Sequence, residues 1–368
     1  MRVLVVTPWY PSEATPGAGV FTLRDVELLR KEHDVRVLHL VAPGASLVGP
    51  VPGDSGGSPV ERVHFHFSRP DRYRGAVRKI REAVESADIV HTMAFPALFP
   101  VARAQVDTPW VHTEHWSGLV TDPPSWHAGV AMKYLRKDLA LPNAAVAVGV
   151  GLADAMDRCR EVPTTVIGNR VHLPAGDRLP SAIPQHASEP IRLVGVGGLV
   201  AHKGPLEALD AVAELESRGV PATLHWAGAG SLESEMRARA TSLGIADKLT
   251  LLGHVDPAAL GEVLLNAHVF VLPTAGETFG VAIAEALGHG LPVVTSGSGG
   301  HLQFLPAHAS RLAARTGPAI AAAVLALRDD PERWSAGQIH TAAVSLFSED
   351  ARAEAYRAVY EKALTARR

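Results

Sequence analysis

Residues 273–294 have the sequence PTAGETFGVAIAEALGHGLPVV, which predicts a tight turn, a short helix, a second turn and the start of a strand. The apolar run VFVL at 269–272, directly before this stretch, is typical of a buried strand in a parallel sheet. Thr278 has the side chain of a helix N-cap, and Gly288 and Gly290 are helix-stop signals. We therefore expect a helix that begins just after Thr278, at the carboxyl end of a parallel strand.

The start of this helix predicts an anion site. Backbone N–H groups at Phe279, Gly280 and Val281 would be free to bind phosphate, which the helix dipole also favours. Glu277 and Glu285 lie eight positions apart, on either side of the start of this helix. Carboxylates beside a phosphate are unfavourable unless they bind neutral groups, and sugar hydroxyls are such groups. The segment therefore predicts a site for a nucleotide-sugar.

Length and composition restrict the class of protein. A chain of 368 residues is too long for one ordinary core, so two α/β domains of similar size are expected. The formal charge of −3, from 35 basic and 38 acidic residues, argues against a nucleic-acid partner. A single cysteine, Cys159, fits a reducing compartment. The apolar runs are too short for a signal peptide or a membrane span, so a cytoplasmic protein is expected.

Strand-like and helix-like runs alternate along both halves of the chain. This alternation predicts a fold of two Rossmann-like domains, at 1–172 and 191–349, with parallel sheets that face an interdomain cleft. Residues 173–190 contain four prolines with little periodicity and are expected to form a linker. The predicted strands are 2–7, 35–40, 63–67, 89–92, 110–113, 145–148, 192–196, 223–226, 249–252, 269–272 and 292–295.

A second candidate motif is GGLVAHKG at 197–204, directly after a predicted strand. Glycines at a strand end let the backbone approach a ligand closely, and Lys203 can supply a point charge to a diphosphate. A glycine pair near a lysine is also common in ordinary surface turns. Its position upstream of the two-glutamate segment favours the functional interpretation.

Together these motifs resemble the retaining glycosyltransferases of family 4, which have the two-domain GT-B fold, and the resemblance covers nearly the whole chain. The most specific part is Glu277 and Glu285 with seven residues between them. Gly228, after the strand that ends at Trp226, and His254 with Val255, beside the expected nucleotide base, also match the family pattern.

The first half of the chain carries weaker matches to the same family. Gly17 and Gly19 resemble the glycine loop that lies against donor and acceptor, and His115 falls where the family has an active-site histidine. The last helix, at about 350–368, resembles the closing helix that packs back on the first domain.

The resemblance implies transfer of a sugar from a nucleoside-diphosphate sugar, expected to be UDP-linked, to a hydroxyl of a small molecule or glycan. Retention of the anomeric configuration and independence of metals and cofactors are implied in the same way. The Ala/Gly/Pro/Arg-rich composition indicates a bacterial source, so a place in bacterial natural-product or glycoconjugate biosynthesis is expected. Glu285 would hold the ribose hydroxyls, Glu277 the donor sugar, and Lys203 would neutralise the leaving diphosphate.

The site residues that follow from this fall into three groups. Catalytic roles are expected for His115, Lys203 and Glu277. The donor would be bound by Gly17, Gly19, Gly198, Lys203, Gly228, His254, Val255, Glu277, Thr278, Phe279, Gly280, Val281 and Glu285. Trp9, Tyr10 and Trp116 are expected on the acceptor side, where they either stack on a sugar or fill the wall between the domains.

The sequence departs from the family pattern at several positions. Gly198 stands where relatives usually have arginine, which removes a charged hydrogen-bond donor worth about 1.5–3 kcal/mol. Arg170 is a candidate substitute. Gln303 stands in place of a common glutamate after Gly299-Gly300, Thr278 in place of a glycine, and His268 in place of an aspartate. Because the core signature is intact, these departures indicate variation in donor or acceptor.

Two other functions remain open. A sugar-nucleotide epimerase or hydrolase of the same fold would need no acceptor. A non-catalytic sugar-nucleotide-binding subunit would account for Gly198 and Gln303.

A basic cluster leads into a predicted helix, for which we prefer a solvated helix face over contact with an anionic membrane or acceptor. The cluster consists of Arg69, Arg72, Arg74, Arg78, Lys79 and Arg81. The alternating histidines His64 and His66 are interpreted as a polar strand face and not as a zinc pair.

Overall fold

The computed structural model describes residues 1–15, 18–54, 60–120, 136–186 and 189–366. The chain divides into two compact units. Unit 1 comprises Met1–Arg170 together with Glu349–Arg368, and unit 2 comprises Val171–Ser348.

Unit 1 contains a parallel sheet of seven strands in the order β3-β2-β1-β4-β5-β6-β7. Every strand pair in this sheet is parallel, and the strand order reverses between β1 and β4. The strands are β1 (Arg2–Thr7), β2 (Asp34–Val41), β3 (Val60–His64), β4 (Ile89–Met93), β5 (Trp110–Glu114), β6 (Ala144–Ala147) and β7 (Thr165–Val166). The α-helices among its described residues before unit 2 are α1 (Val20–Arg30), α2 (Pro70–Val84), α3 (Leu98–Ala104) and α4 (Val150–Asp157).

Unit 2 contains a second parallel sheet, of six strands in the order β10-β9-β8-β11-β12-β13. The strands are β8 (Ile191–Val196), β9 (Ala222–Ala227), β10 (Leu249–Gly253), β11 (Val269–Leu272), β12 (Val293–Thr295) and β13 (Ser310–Leu312). The helices are α5 (Pro205–Ser217), α6 (Glu233–Ser242), α7 (Pro257–Leu265), α8 (Val281–Gly288), α9 (Gly317–Asp329) and α10 (Ala336–Phe347). The last helix, α11 (Glu349–Thr365), follows unit 2 in the chain but belongs to unit 1.

The predicted α/β architecture of two parallel sheets is confirmed, and most predicted strands agree with the structure to within one or two residues. The prediction at 63–67 is wrong, because β3 spans Val60–His64 and His66 lies beyond its end. His64 and His66 therefore do not share a strand face. The short strands β7 and β13 were not predicted, since two or three residues carry no period that a pattern can reveal.

Residues 173–186 contain no helix or strand, yet they are attached to unit 2. Ile183 is buried, and Arg178 forms an ion pair with Glu262 on α7 at 2.5 Å. Residues 173–186 therefore pack against unit 2 as an irregular segment.

None of the helices within the described ranges is both long enough and apolar enough to cross a lipid bilayer.

Three core histidines are neutral because burial lowers their pKa. The pKa of His39 and of His268 falls to about 4, and that of His91 to about 3. His268, which replaces the family's aspartate, accepts a hydrogen bond from the Arg192 N–H through Nδ1 at 3.1 Å. A neutral acceptor thus stands where the family pattern has a carboxylate.

The first prediction concerns pH. Because these histidines have folded pKa values below the unfolded value of about 6.5, the unfolded chain binds more protons between about pH 4 and 6.5. The stability is fully present above about pH 6.5 and is lost as pH falls, by up to about 1.4 kcal/mol per pH unit for each histidine. Urea unfolding between pH 4.5 and 7 measures this slope.

The matched variant is His268→Asn, whose side-chain oxygen can still accept from the Arg192 N–H but does not titrate. We expect a shallower loss of stability with acid than in the wild type. If the free energy of unfolding depends on pH equally steeply in the variant and the wild type, His268 is not a neutral buried group.

Candidate functional site

The candidate site of unit 2 lies where the strand order of its sheet reverses, between β8 and β11. In open parallel sheets, ligands bind at the carboxyl ends of the two strands that flank such a point. The chain leaves β8 through Gly197 and Gly198 into a short 3₁₀ turn, Ala201–Lys203, which leads into α5.

An ion pair joins the two loops at this point. The Lys203 ammonium nitrogen lies 2.6 Å from the Glu277 carboxylate, and the two side chains are 22% and 13% exposed. Lys203 follows β8, and Glu277 follows β11. The sequence predicted both residues, and the structure brings them together. A ligand with an anionic group and hydroxyls can replace each partner in this pair.

Glycines allow the backbone segments around the pair to touch. A Cβ on Gly228, after β9, would lie 1.9 Å from the Gly197 carbonyl oxygen. Gly204, which caps α5 in the left-handed region, would place a Cβ 2.4 Å from the Pro273 carbonyl oxygen. A Cβ on Gly198 would have no atom closer than 3.7 Å. Packing at Cβ therefore does not explain the missing arginine at position 198.

The helix after Glu277 begins later than predicted. Gly280, in the left-handed region with φ of 95°, is the N-cap of α8, so Thr278 as N-cap was wrong. The chain must turn through a conformation that only glycine adopts easily before the helix can start. The unpaired first-turn amides of α8 are therefore those of Val281, Ala282 and Ile283. The Phe279 side chain is 3% exposed and packs on Phe304, so it anchors the loop.

The Gly299–Gly300 turn lies directly on the Glu277 loop. The Gly300 N–H donates to the Glu277 carbonyl at 2.7 Å, and a Cβ on Gly300 would lie 2.0 Å from the Thr278 carbonyl oxygen. The next residue, His301, is fully buried beside the same loop. Gln303, which was noted from the sequence as a departure from the family pattern, is exposed, whereas nothing was predicted for His301.

The other predicted donor residues follow neighbouring strands of the same sheet. Gly228 donates its N–H to the Gly253 carbonyl at 2.7 Å, which places the end of β10 beside the end of β9. His254 is exposed and Val255 half-buried just after β10. Glu285 is half-buried on α8 and is engaged in an interaction.

In unit 1, His115 lies at the end of β5 with both ring nitrogens turned toward protein groups. Nδ1 lies 3.1 Å from the Asn169 side-chain oxygen, and Nε2 lies 3.5 Å from the Asp25 carboxylate. Burial lowers the pKa of His115, although Asp25 and Glu114 oppose this shift. The imidazole is 8% exposed and presents neither nitrogen to solvent.

The closing helix α11 holds the carboxylate that faces His115. Asp25, on α1, is 1% exposed and accepts hydrogen bonds from Arg352 at 2.5 Å and from the Tyr356 hydroxyl at 3.2 Å. The Arg352 guanidinium also donates to the Gly168 carbonyl at 2.8 Å. The orientation of His115 therefore depends on a helix that is more than two hundred residues away in the chain.

The aromatic residues expected on the acceptor side differ in position. Tyr10 is 1% exposed in the core of unit 1, so it does not stack on a sugar in this conformation. Trp9 is half-buried against Phe21, and Trp116 is half-buried and stacks on Phe95 at 5.7 Å. The predictions for Trp9 and Trp116 stay open.

The glycine loop is described in part. Gly17 lies outside the described residues. Gly19 caps α1 in the left-handed region, where a Cβ would lie 2.3 Å from the Trp9 backbone, so this turn requires glycine.

Arg170 does not act as the missing cation in this conformation. It belongs to unit 1, where its guanidinium forms ion pairs with Glu27 at 3.0 Å and Glu349 at 2.5 Å. Within the described ranges, no group of three or more His, Cys, Asp or Glu side chains is placed to hold a metal ion.

The basic cluster along α2, from Arg69 to Arg81, is partly neutralised. Lys79 pairs with Glu61 at 2.6 Å, and Arg72 and Arg78 lie near Asp71 and Glu82.

The second prediction tests the glycine turn under Glu277. Gly300→Ala forces its Cβ against the Thr278 carbonyl, so we expect a stability loss of at least about 1–3 kcal/mol by overpacking. Gly297→Ala, in the same loop, meets open space and should unfold at nearly the wild-type temperature. Equal melting temperatures for the two variants would contradict the described turn.

The third prediction tests the closing helix. Arg352→Gln leaves Asp25 buried without its cation, so we expect a loss of about 3–5 kcal/mol in the free energy of unfolding. Arg357→Gln, on the same helix, breaks only an exposed pair with Glu32 and should change little. Urea unfolding compares the two, and similar losses would argue against a buried Asp25–Arg352 pair.

Comparisons with known proteins agree with this geometry. A family model described as glycosyl transferases group 1 matches residues 181–336, and one described as glycosyltransferase family 4 matches residues 16–173. The GDP-mannose-dependent alpha-(1-6)-phosphatidylinositol dimannoside mannosyltransferase of Mycobacterium tuberculosis is 34% identical over 154 residues, which cover 41% of this chain and 39% of that protein. The D-inositol 3-phosphate glycosyltransferase of Acidothermus cellulolyticus is 30% identical over 258 residues, 57% of this chain and 58% of the relative. The chain thus spans between about two fifths and three fifths of the length of these curated relatives.

Solved structures extend the likeness of the fold. The apo form of the lipopolysaccharide outer core galactosyltransferase WaaB superposes with a TM-score of 0.76 at 14% identity, over 98% of this chain and 99% of the other. Anabaena HepE in complex with UDP-glucose gives 0.71 at 16% identity, over 98% and 100%. Because one family model matches the first half of the chain and the other the second half, the chain belongs to glycosyltransferase family 4 and has the GT-B fold.

Proposed function

We propose that this protein transfers a sugar from a nucleoside-diphosphate sugar to a hydroxyl acceptor, with retention of the anomeric configuration and without a metal. The observation that carries the proposal is the Lys203–Glu277 pair at the point where the strand order of unit 2 reverses. One partner suits a diphosphate and the other suits sugar hydroxyls. Family membership supports the same reaction class.

When the donor binds, Lys203 and Glu277 separate, and each forms a new contact with a group of the donor. The diphosphate takes the place of Glu277 on the Lys203 ammonium, and sugar hydroxyls take the place of Lys203 on the Glu277 carboxylate. Lys203 keeps an anionic partner and Glu277 keeps hydrogen-bond donors after binding, so neither charge is left buried without a partner, which would be costly. Glu285 binds the ribose hydroxyls, and the first-turn amides of α8 favour anionic oxygen.

The chemical step breaks the bond between the anomeric carbon and the diphosphate oxygen and forms one to the acceptor oxygen. The proton of the acceptor hydroxyl passes to the leaving diphosphate, so no separate carboxylate base is required. Lys203 stabilises the negative charge that grows on the leaving group. With glycine at position 198, Lys203 carries more of this charge than it would beside an arginine.

The identity of the donor is proposed from relatives. HepE is described with UDP-glucose, whereas the mycobacterial relative is named for GDP-mannose. We propose a uridine donor, following the family resemblance, and GDP-mannose is the competitor that the test includes.

The fourth prediction tests this function with Lys203→Ala. Loss of the cation should lower the transfer rate roughly 10²–10³-fold, since it acts on developing charge. His202→Ala is the matched control, because the His202 side chain is exposed and only its backbone carbonyl is used, by Ala275 and Thr274. Transfer from UDP-glucose and GDP-mannose to an acceptor panel, followed by NMR, measures both rate and anomeric configuration.

Two outcomes would overturn the proposal. Rapid conversion of the donor without any acceptor would indicate a hydrolase or epimerase. Donor binding without turnover across the panel would indicate a non-catalytic subunit. Glu285→Ala, in turn, should weaken donor binding without unfolding the chain, and full retention of donor affinity would contradict the assigned site.

A further inference from the structure

His301 is a buried residue of unit 2 with one ring nitrogen unused. Its side chain is fully buried, and Nε2 lies 3.1 Å from the Ser296 carbonyl oxygen and 3.3 Å from the Thr295 hydroxyl. A carbonyl only accepts hydrogen bonds, so Nε2 carries the proton. The Thr295 hydroxyl donates to the Leu272 carbonyl at 2.8 Å, so it too is an acceptor toward His301. The tautomer is therefore fixed, and Nδ1 is a lone-pair acceptor.

Among the residues that the structure describes, Nδ1 of His301 has no hydrogen-bond partner. Leaving a buried acceptor without a donor is unfavourable, and such groups in native proteins usually have a reason. Burial also lowers the pKa of His301, which keeps the ring neutral and Nδ1 free of a proton.

The unused nitrogen lies near the loop that carries Glu277. The site of a Cβ on Gly299 lies 3.1 Å from His301 Nδ1 and 2.5 Å from the Glu277 backbone nitrogen. On its other side, the His301 Cβ lies 2.9 Å from where Gly280, the N-cap of α8, would carry a Cβ. His301 is thus wedged between the start of α8 and the turn that supports Glu277. Glu277 raises and Lys203 lowers the pKa of His301, so both charges of the ion pair lie near the ring. A ligand hydroxyl reaches the buried Nδ1 only if the Gly299–Gly300 turn shifts.

We infer that His301 is a specificity-determining residue, whose Nδ1 accepts a hydrogen bond from a hydroxyl of the same sugar that Glu277 binds. This inference rests on the proposed function, since it needs a sugar at the Lys203–Glu277 pair. Of the groups a nucleoside-diphosphate sugar brings near this pair, the diphosphate has only acceptors, whereas the sugar hydroxyls can donate. His301 therefore recognises the sugar and not the diphosphate.

Two variants separate the ring nitrogens. In His301→Asn the amide oxygen takes the place of Nδ1 and the acceptor is kept. In His301→Gln the amide nitrogen takes the place of Nε2 and can donate to Ser296, but the acceptor at Nδ1 is lost. Calorimetry on the full chain gives the dissociation constants of UDP-glucose, GDP-mannose, UDP and GDP for both variants and the wild type.

We expect His301→Gln to weaken binding of the preferred nucleotide-sugar roughly two- to tenfold and to leave the free nucleoside diphosphate unchanged. His301→Asn should stay within about twofold of the wild type, since it keeps the acceptor. Equal affinities in all three proteins, equal losses in both variants, or a parallel loss of nucleoside-diphosphate binding would overturn the inference. A wild-type chain that binds none of the four ligands would instead overturn the proposed function itself, and this is measured without any variant.

Discussion

An ion pair between Lys203 and Glu277 joins the two loops at the point where the strand order of unit 2 reverses. The loops can come this close only because glycines remove side chains from their contacts. Gly228 packs on the Gly197 carbonyl, Gly204 on Pro273, and the Gly299–Gly300 turn on the Glu277 backbone. The pair is 22% and 13% exposed, so it is accessible to a ligand but sheltered enough for its charges to interact strongly. The ion pair thus depends on the parallel sheet, which brings the two loops to one edge, and on the glycines, which let the loops touch.

Unit 1 uses its polar residues differently. The Asp25 carboxylate is buried between Arg352 and Tyr356 of α11 and His115, which directly follows β5, and most of these groups satisfy one another. A buried charge is tolerated only when it is paired, so α11 is needed to keep Asp25 inside the unit. His115, which the family resemblance suggested as catalytic, is in this conformation part of that buried network. Its catalytic role therefore stays a prediction.

Much of the architecture was predictable because long apolar runs and their alternation with helices carry a strong signal. The β1 and β11 runs have hardly any polar interruption, and both were assigned with their observed bounds. The short strand β13 and the start of α8 were not. Thr278 is a good N-cap by side chain, but the chain adopts a left-handed turn at Gly280. A Cβ at Gly280 would lie 2.9 Å from the His301 side chain, a tertiary contact that the local sequence does not reveal.

The site was predictable where a motif combines charge with spacing, as for Lys203, Glu277 and Glu285. It was not predictable where burial decides. From the sequence, Tyr10 could equally well stack on a sugar or fill the wall between the domains. The structure places it in the core of unit 1. His301 gave one signal, a histidine directly after a glycine pair, but its fixed tautomer and unused Nδ1 follow only from tertiary contacts.

The central claim is that the Lys203–Glu277 pair is the place where a nucleoside-diphosphate sugar binds. A crystal structure of the chain with UDP-glucose or GDP-mannose tests it most directly. The account predicts that the 2.6 Å contact between Lys203 and Glu277 is broken in the complex. A diphosphate oxygen should then lie within about 3 Å of the Lys203 ammonium, and a sugar hydroxyl within about 3 Å of the Glu277 carboxylate. A complex in which the ligand is bound elsewhere and this pair stays intact would contradict the account.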